Sequence, residues 1–348
     1  MSRAYKALLF LVLLTLTGAS AAQLRQVAIV DLPGRPGFDS MAFANGYLLI
    51  THTSAGTLDV FNPATRRLAA QVSKLNRPRD IAVDEKAGKI YVANAGANNL
   101  VVISTKDWGV LDVIPLQHSP ATLLLVPARQ TLYISNWRDH SVTALSLVDN
   151  STAVAEVGAR PEHMTFDAQT GRVFVNIHDT AEIAVLDANH KQIARWKLRA
   201  SQPTGMAFDP ETRRLFVAVR YAVLALNADS GEELARIPAA AGVDRLWFDP
   251  AIKTVFAASA TGIVHMINVD GKYVNEQELP VEVRGNSVAY DPEGSYLYVP
   301  GGREGRSKLL ILKRVNGNEP GAMARKPRVR KPAVAPAAAE TAQKKPPR

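Results

Sequence analysis

The sequence contains no cysteine. That absence excludes a disulfide framework, a thiolate metal centre, a cysteine nucleophile and a lipid-modified cysteine, so the fold must rest on its core and on backbone pairing. The apolar stretch Ala7 to Leu16 is too short to cross a bilayer, which takes about 20 residues of helix. No GxSxG elbow, Walker A loop or HExxH pair occurs, so no motif points to a serine hydrolase, a nucleotide hydrolase or a short-spaced zinc enzyme. No pair of carboxylates stands out by its spacing.

Arg3 and Lys6, the apolar stretch behind them and the small residues Gly18 to Ala22 make up the three parts of a secretory signal peptide. Residues 1–22 are therefore predicted to be a Sec-type leader, with cleavage after Ala21 or Ala22 and a periplasmic or secreted mature chain that has no transmembrane span. The formal charge of +9 has to be located before it is interpreted. The leader carries two positive charges, and the end from Gly321 carries eight basic residues against Glu340, which leaves zero net charge between them. From about residue 317 the chain is Gly, Pro, Ala, Lys and Arg with almost no aromatic residue. Such a segment cannot bury enough apolar area to offset chain entropy, so 317–348 reads as a disordered basic tail.

The body between leader and tail repeats. Phe43, Val83, Leu125, Phe166, Phe208, Phe248 and Tyr290 recur at spacings of 40, 42, 41, 42, 40 and 42 residues. Five residues before them stand Phe38, Pro78, Pro120, Pro161, Pro203, Val243 and Gly285; after most of them comes Asp, often Asp-Pro. The copy from Pro203 to Pro238 shows the unit clearly, with four short apolar runs parted by turn-forming residues such as Asp209-Pro210 and Asp229-Ser230-Gly231. A period near 40 with four strands per unit predicts an all-β, seven-bladed β-propeller over residues 23–316. The seventh copy lacks a fourth strand, and a spare strand from Gln26 to Leu32 is available to complete it and close the ring. Gly301-Gly302-Arg303-Glu304-Gly305 reads as a flexible loop.

Tyr91-Val92-Ala93-Asn94 and Tyr133-Ile134-Ser135-Asn136 resemble the YVTN-type propeller repeat of exported bacterial and archaeal proteins, a resemblance running from about Gln26 to Val315. It implies the propeller fold and an exported protein. Because the family includes binding, surface and redox-associated members, it implies no single activity.

In such a blade the second-to-third loops share one face with the connections between blades, and loops on a rigid scaffold are where binding residues gather. That face receives Asn136, Trp137 and Arg138 from one loop, together with Arg79, Arg160, Arg245 and Arg284 near four interblade connections. The arginines either grip a carboxylate or phosphate or pair with neighbouring acids such as Asp80, Glu162 and Asp244. Trp137 is either a contact residue or packing over the next blade, while Trp108, Trp196 and Trp247 sit beside strand patterns and read as core or interblade packing. His52, His163 and His178, with His118 nearby, are the candidate ligands of a divalent metal.

The favoured reading is a monomeric, exported, non-catalytic binding or scaffolding propeller. It would recognise a protein or an anionic small molecule or polymer on the interblade-loop face. The alternative is a metal-dependent, lactonase- or lyase-like enzyme with its site at the mouth of the central channel. A third reading gives the basic tail the task of binding nucleic acid or anionic envelope polymers.

Overall fold

Each period of the repeat folds into one four-stranded antiparallel sheet, and seven such sheets stand in a ring. The computed structural model describes residues 22–116 and 119–316; residues 1–21 of the predicted leader, Gln117, His118 and residues 317–348, the predicted tail, lie outside the described residues. Blades 1 to 6 begin at Met41, Pro78, Pro120, Pro161, Met206 and Val243. Blade 7 takes Ala289–Asp291, Tyr296–Arg303 and Arg306–Val315 from one end of the chain and Gln23–Asp31 from the other. Two three-residue 3₁₀ turns, Ala95–Ala97 and Pro127–Arg129, are the only helical elements among the described residues, and no described helix is long and apolar enough to cross a membrane.

The apolar patterns follow from the position of each strand. First strands of adjacent blades touch one another around the central channel. Second and third strands are covered on both faces by the neighbouring blades and are apolar nearly throughout, as in Lys89–Asn94, where every residue after the first is buried. Fourth strands are outermost, and Val274–Pro280 alternates half-buried with exposed residues. This alternation marks a strand packed on one face and wet on the other.

The repeated anchor residue packs blade against blade. Tyr290 stacks on Phe256 of blade 6 at 4.5 Å between ring centroids. Phe248 meets Phe216 of blade 5 at 5.5 Å, Phe208 meets Phe174 of blade 4 at 6.1 Å, and Phe43 meets Tyr298 of blade 7 at 6.0 Å. In blades 2 and 3, where the anchors are Val83 and Leu125, aliphatic contacts with Leu49 and Tyr91 fill the same gap. The aspartate after the anchor makes a turn: Asp167, Asp209, Asp249 and Asp291 each accept the backbone N–H two residues on, at 2.9–3.1 Å. The tryptophans expected in packing are there, with Trp108 edge-on to Tyr47, Trp196 against Phe174 and Trp247 against Phe43.

The amino-terminal strand closes the ring. Gln23–Asp31 pairs antiparallel with Arg306–Val315 across a bulge between Gln26 and Ala28, and Lys308 ion-pairs with Asp31. The strand starts three residues earlier than the sequence suggests, and Leu24 in that extension is buried against blade 6. The Gly301–Gly305 stretch is not a flexible loop. Gly301, Gly302 and Arg303 continue a strand, and Glu304-Gly305, with φ of 53° and 74°, forms a two-residue hairpin turn. A side chain at Gly301 would collide with the Arg284 carbonyl, whose residue pairs by backbone with Gly302. Gly301 is there for close approach of two backbones, and Gly305 for the positive φ of the turn.

Candidate functional site

The channel-lining residues come from the start of each inner strand. In blades 2, 3, 4 and 6 the register slips between Pro78 and Ile81, Pro120 and Leu123, Pro161 and Met164, and Val243 and Leu246. A bulge of this kind re-aims side chains, and proline is tolerated there because no ladder bond is lost. The residues inside the bulges are Arg79-Asp80, Ala121-Thr122, Glu162-His163 and Asp244-Arg245. Asp39-Ser40 occupies the same offset in blade 1.

These residues form an ion-pair network that runs between blades. Arg79 Nε donates to Asp39 Oδ2 at 3.0 Å, from blade 2 to blade 1. Arg245 of blade 6 reaches Asp80 of blade 2. Asp80 is buried and also accepts from Ser40 Oγ at 2.6 Å, its neighbour's Ile81 N at 2.7 Å and Leu123 N at 2.8 Å. Arg160 Nε donates to Glu162 Oε1 at 3.0 Å within blade 4. The pairing of arginines with acids that the sequence allowed is therefore present, but with Asp39 for Arg79 and Asp80 for Arg245 as partners.

The environments of the four carboxyls differ. Burial pulls Asp80 upward, but Arg245 and the hydrogen bonds outweigh it and its pKa lies below the usual range. Burial dominates at Asp39 and pushes it up to about 7 against the pull of Arg79, with the facing Asp244 adding to the rise. Asp244 is pushed up to about 6 by burial and then by Glu162. Glu162 is raised by burial in spite of Arg79 and Arg160. His163 is driven down to about 3, first by burial and then by Arg245, so its ring is neutral. Its Nδ1–H donates to the Thr204 carbonyl at 3.1 Å, and its buried Nε2 has no hydrogen-bond partner.

Beside the channel, between blades 2 and 3, lies a cleft of about 270 Å³ lined by Asn76, Arg77, Arg79, Asn98, Trp137 and Arg138 among others. No Asp or Glu is among its described lining residues. Arg79 and Arg160 both lie over the Trp137 ring, at 5.1 and 4.6 Å from its centroid. Contacts of this kind contribute about 0.5–2 kcal/mol each. The candidates Arg79, Trp137, Arg138 and Arg160 thus come together. Arg245 lies apart from them in the channel, and Arg284 is exposed on the connection into blade 7. Asn136 faces inward instead. Its Nδ2 donates to Ser141 Oγ at 3.0 Å and Thr143 Oγ1 at 2.8 Å, tying down the loop that carries Trp137. Asn94, at the same place in the repeat, donates to Asn99 Oδ1 at 2.9 Å.

The three described candidate histidines are not gathered. His52 is buried in blade 1, with Nδ1 3.0 Å from Asp59 and Nε2 2.7 Å from the Arg35 carbonyl. His163 faces the channel, and His178 pairs with the adjacent Asp179 at 2.8 Å in an exposed loop. His118 lies outside the described residues. No group of three or more His, Asp or Glu side chains among the described residues is arranged to hold a metal ion.

Sequence reasoning missed Arg77, although the repeat contains the signal. Arg77, Arg160 and Arg284 each stand six residues before their anchors, whereas Arg79 and Arg245 stand four and three before theirs. Arg77 at the first offset lines the cleft, whereas Arg79 and Arg245 at the other two make ion pairs with Asp39 and Asp80.

No family model matches the chain, and no curated protein matches its sequence. Among solved structures, the fold is similar to a chain of the hydrazine synthase of Kuenenia stuttgartiensis. The TM-score is 0.71 at 12% identity, over 82% of this chain and 97% of that one. At that identity the likeness speaks for the fold alone: the protein is a seven-bladed β-propeller.

Proposed function

We propose that this propeller is an exported binding module whose cleft between blades 2 and 3 recognises an anionic group, a carboxylate or a phosphate, carried by a small ligand or a partner. One observation carries the reading: among the described residues, three arginines line the cleft and no carboxylate does. Guanidinium groups offer paired donors that match the geometry of those anions. Trp137 adds an apolar wall at the base, and its loop is fixed from below by Asn136. At about 270 Å³ the cleft suits a small anion or one anionic group of something larger, since pockets for drug-sized ligands run from about 300 Å³ upward. The leader-like start and the resemblance to YVTN-type repeats support a periplasmic or secreted location. Nothing in the reading requires a metal, and the basic tail has no part in it.

Isothermal titration of the purified protein with oxalate and with inorganic phosphate tests the proposal. Both are expected to bind, and Arg77→Ala with Arg138→Ala should weaken binding at least about tenfold, as expected for charged hydrogen bonds of about 1.5–3 kcal/mol each. Equal affinity in the folded double variant would show that the anion sits elsewhere.

A further inference from the structure

Arg79 belongs to two environments at once. Its Nε donates to Asp39 Oδ2 at 3.0 Å inside the channel. Its guanidinium also lies 5.1 Å from the Trp137 ring centroid and lines the cleft. An anion in the cleft and the Asp39 carboxylate therefore compete for one cation. We propose that anion binding in the cleft is coupled to protonation of Asp39, which positions Arg79 and sets how much of its charge the cleft can use. This rests on the anion-binding reading of the cleft.

The surroundings of Asp39 make it the group that gives way. From blade 2 it faces Arg79 and Asp80, from blade 6 Asp244 and Arg245, and from blade 4 Glu162. Arg245 is already committed to Asp80, so Arg79 is the cation in direct contact with the Asp39 carboxyl. Arg79 itself faces two further carboxyls, Glu162 and Asp244. Asp80, by contrast, is held by one arginine and three other donors. The backbone at Asp39 is anchored independently, by Ser287 Oγ donating to its carbonyl at 2.5 Å and by its own N–H to Thr51 O at 3.3 Å. The carboxyl can therefore lose its ionic partner without the strand moving.

The exchange is balanced. A proton from solvent joins an Asp39 carboxylate oxygen, the Arg79–Asp39 ion pair becomes a neutral contact, and an Arg79–anion pair forms in its place. One anionic oxygen group of the ligand takes over the charge on Arg79 that Asp39 gives up, and the second charge of a dianion such as oxalate falls to the other cleft arginines, Arg77 and Arg138. The upward push on the Asp39 carboxyl from burial places this exchange near neutral pH.

The test is calorimetric titration with oxalate, whose carboxyls stay ionised, from about pH 6 to about pH 9. Running it in two buffers of different ionisation enthalpy counts the protons taken up. In the natural protein, affinity should fall by up to about tenfold per pH unit above about pH 7, the limit for one proton per anion. Net proton uptake should accompany binding at about pH 7.5, and Asp39→Asn should bind at the natural protein's low-pH affinity throughout. Binding without proton uptake and without a pH slope would overturn the coupling while leaving the anion site standing, as would an Asp39→Asn variant that keeps the natural slope. No oxalate binding by either protein at any pH would defeat both. If Asp39→Asn does not fold, the proton count on the natural protein decides.

Discussion

Arg245 and Asp80 lie 165 positions apart in the chain and form an ion pair from blade 6 to blade 2, meeting inside the central channel. Blades 7 and 1 stand between them on one side of the ring and blades 3 to 5 on the other. The contact thus joins residues far apart around the ring. It also ends on an aspartate that takes hydrogen bonds from blades 1, 2 and 3.

Breaking that pair should be costly. Arg245→Ala is expected to destabilise the protein by about 3–5 kcal/mol, because it leaves the Asp80 charge buried without its counter-ion. Arg245→Met with Asp80→Asn should recover much of the loss. Urea unfolding of the three proteins checks this; a single variant as stable as the natural protein would show that the channel is wet enough to solvate Asp80 alone.

The raised carboxyl and the neutral histidine give stability a predictable pH dependence. Asp39 has a folded pKa of about 7, above the unfolded value of about 3.9. Its contribution is therefore fullest below about pH 4 and is lost as pH rises through about 7. His163 works in the opposite sense. Its folded pKa is depressed to about 3, so its contribution is full above its unfolded value of about 6.5 and is lost as pH falls toward 3. Asp39→Asn should accordingly gain stability relative to the natural protein between about pH 4 and about pH 7, as measured by thermal melts across that range. A constant difference would sink the assignment.

The anchor stack between blades 6 and 7 should be among the largest single contributions of packing. Both rings are fully buried, and Phe256→Ala should cost about 3–5 kcal/mol. Phe256→Leu should cost less, since blade 1 already has Leu49 at the equivalent strand position, packed with the aliphatic anchor Val83. Chemical denaturation distinguishes the two; equal losses would mean that ring geometry rather than volume governs the contact.

Trp137→Leu should leave the protein folded, at a cost of about 1–4 kcal/mol for the two lost cation–π contacts. Oxalate affinity should nevertheless fall, as Arg79 and Arg160 lose the surface that orients them. An unchanged affinity would restrict the cleft's contribution to its charges.

The ring was legible in the sequence because each blade contains its own turns and its own apolar period. The Asp after most anchors and the run Leu215 to Val219 need no distant partner to declare themselves. Pairing across the channel left no such local trace. Arg79, Arg160, Arg245 and Arg284 look equivalent as arginines near interblade connections. Their fates follow from offsets of three, four and six residues before the anchor and from bulges that only the folded sheet reveals. Asn136 misled for a related reason: a polar residue at a loop edge looks available, yet its amide is used up in holding the hairpin. The histidines share a face in the repeat, but each bonds within its own blade or to the next one.

Closure by Gln23–Asp31 also affects how the protein is made. The first described strand finds its partner only after residues 306–315 exist, so ring formation has to wait for nearly the whole described chain. Until then blade 7 has no outer strand, and the channel network centred on Asp80 lacks the restraint of a shut ring. Such a long-range contact is among the slowest to form. Any chain cut short before residue 306 remains open, with an unpaired strand at its amino end, so closure itself marks a finished molecule and exposed edges mark an unfinished one for proteolysis.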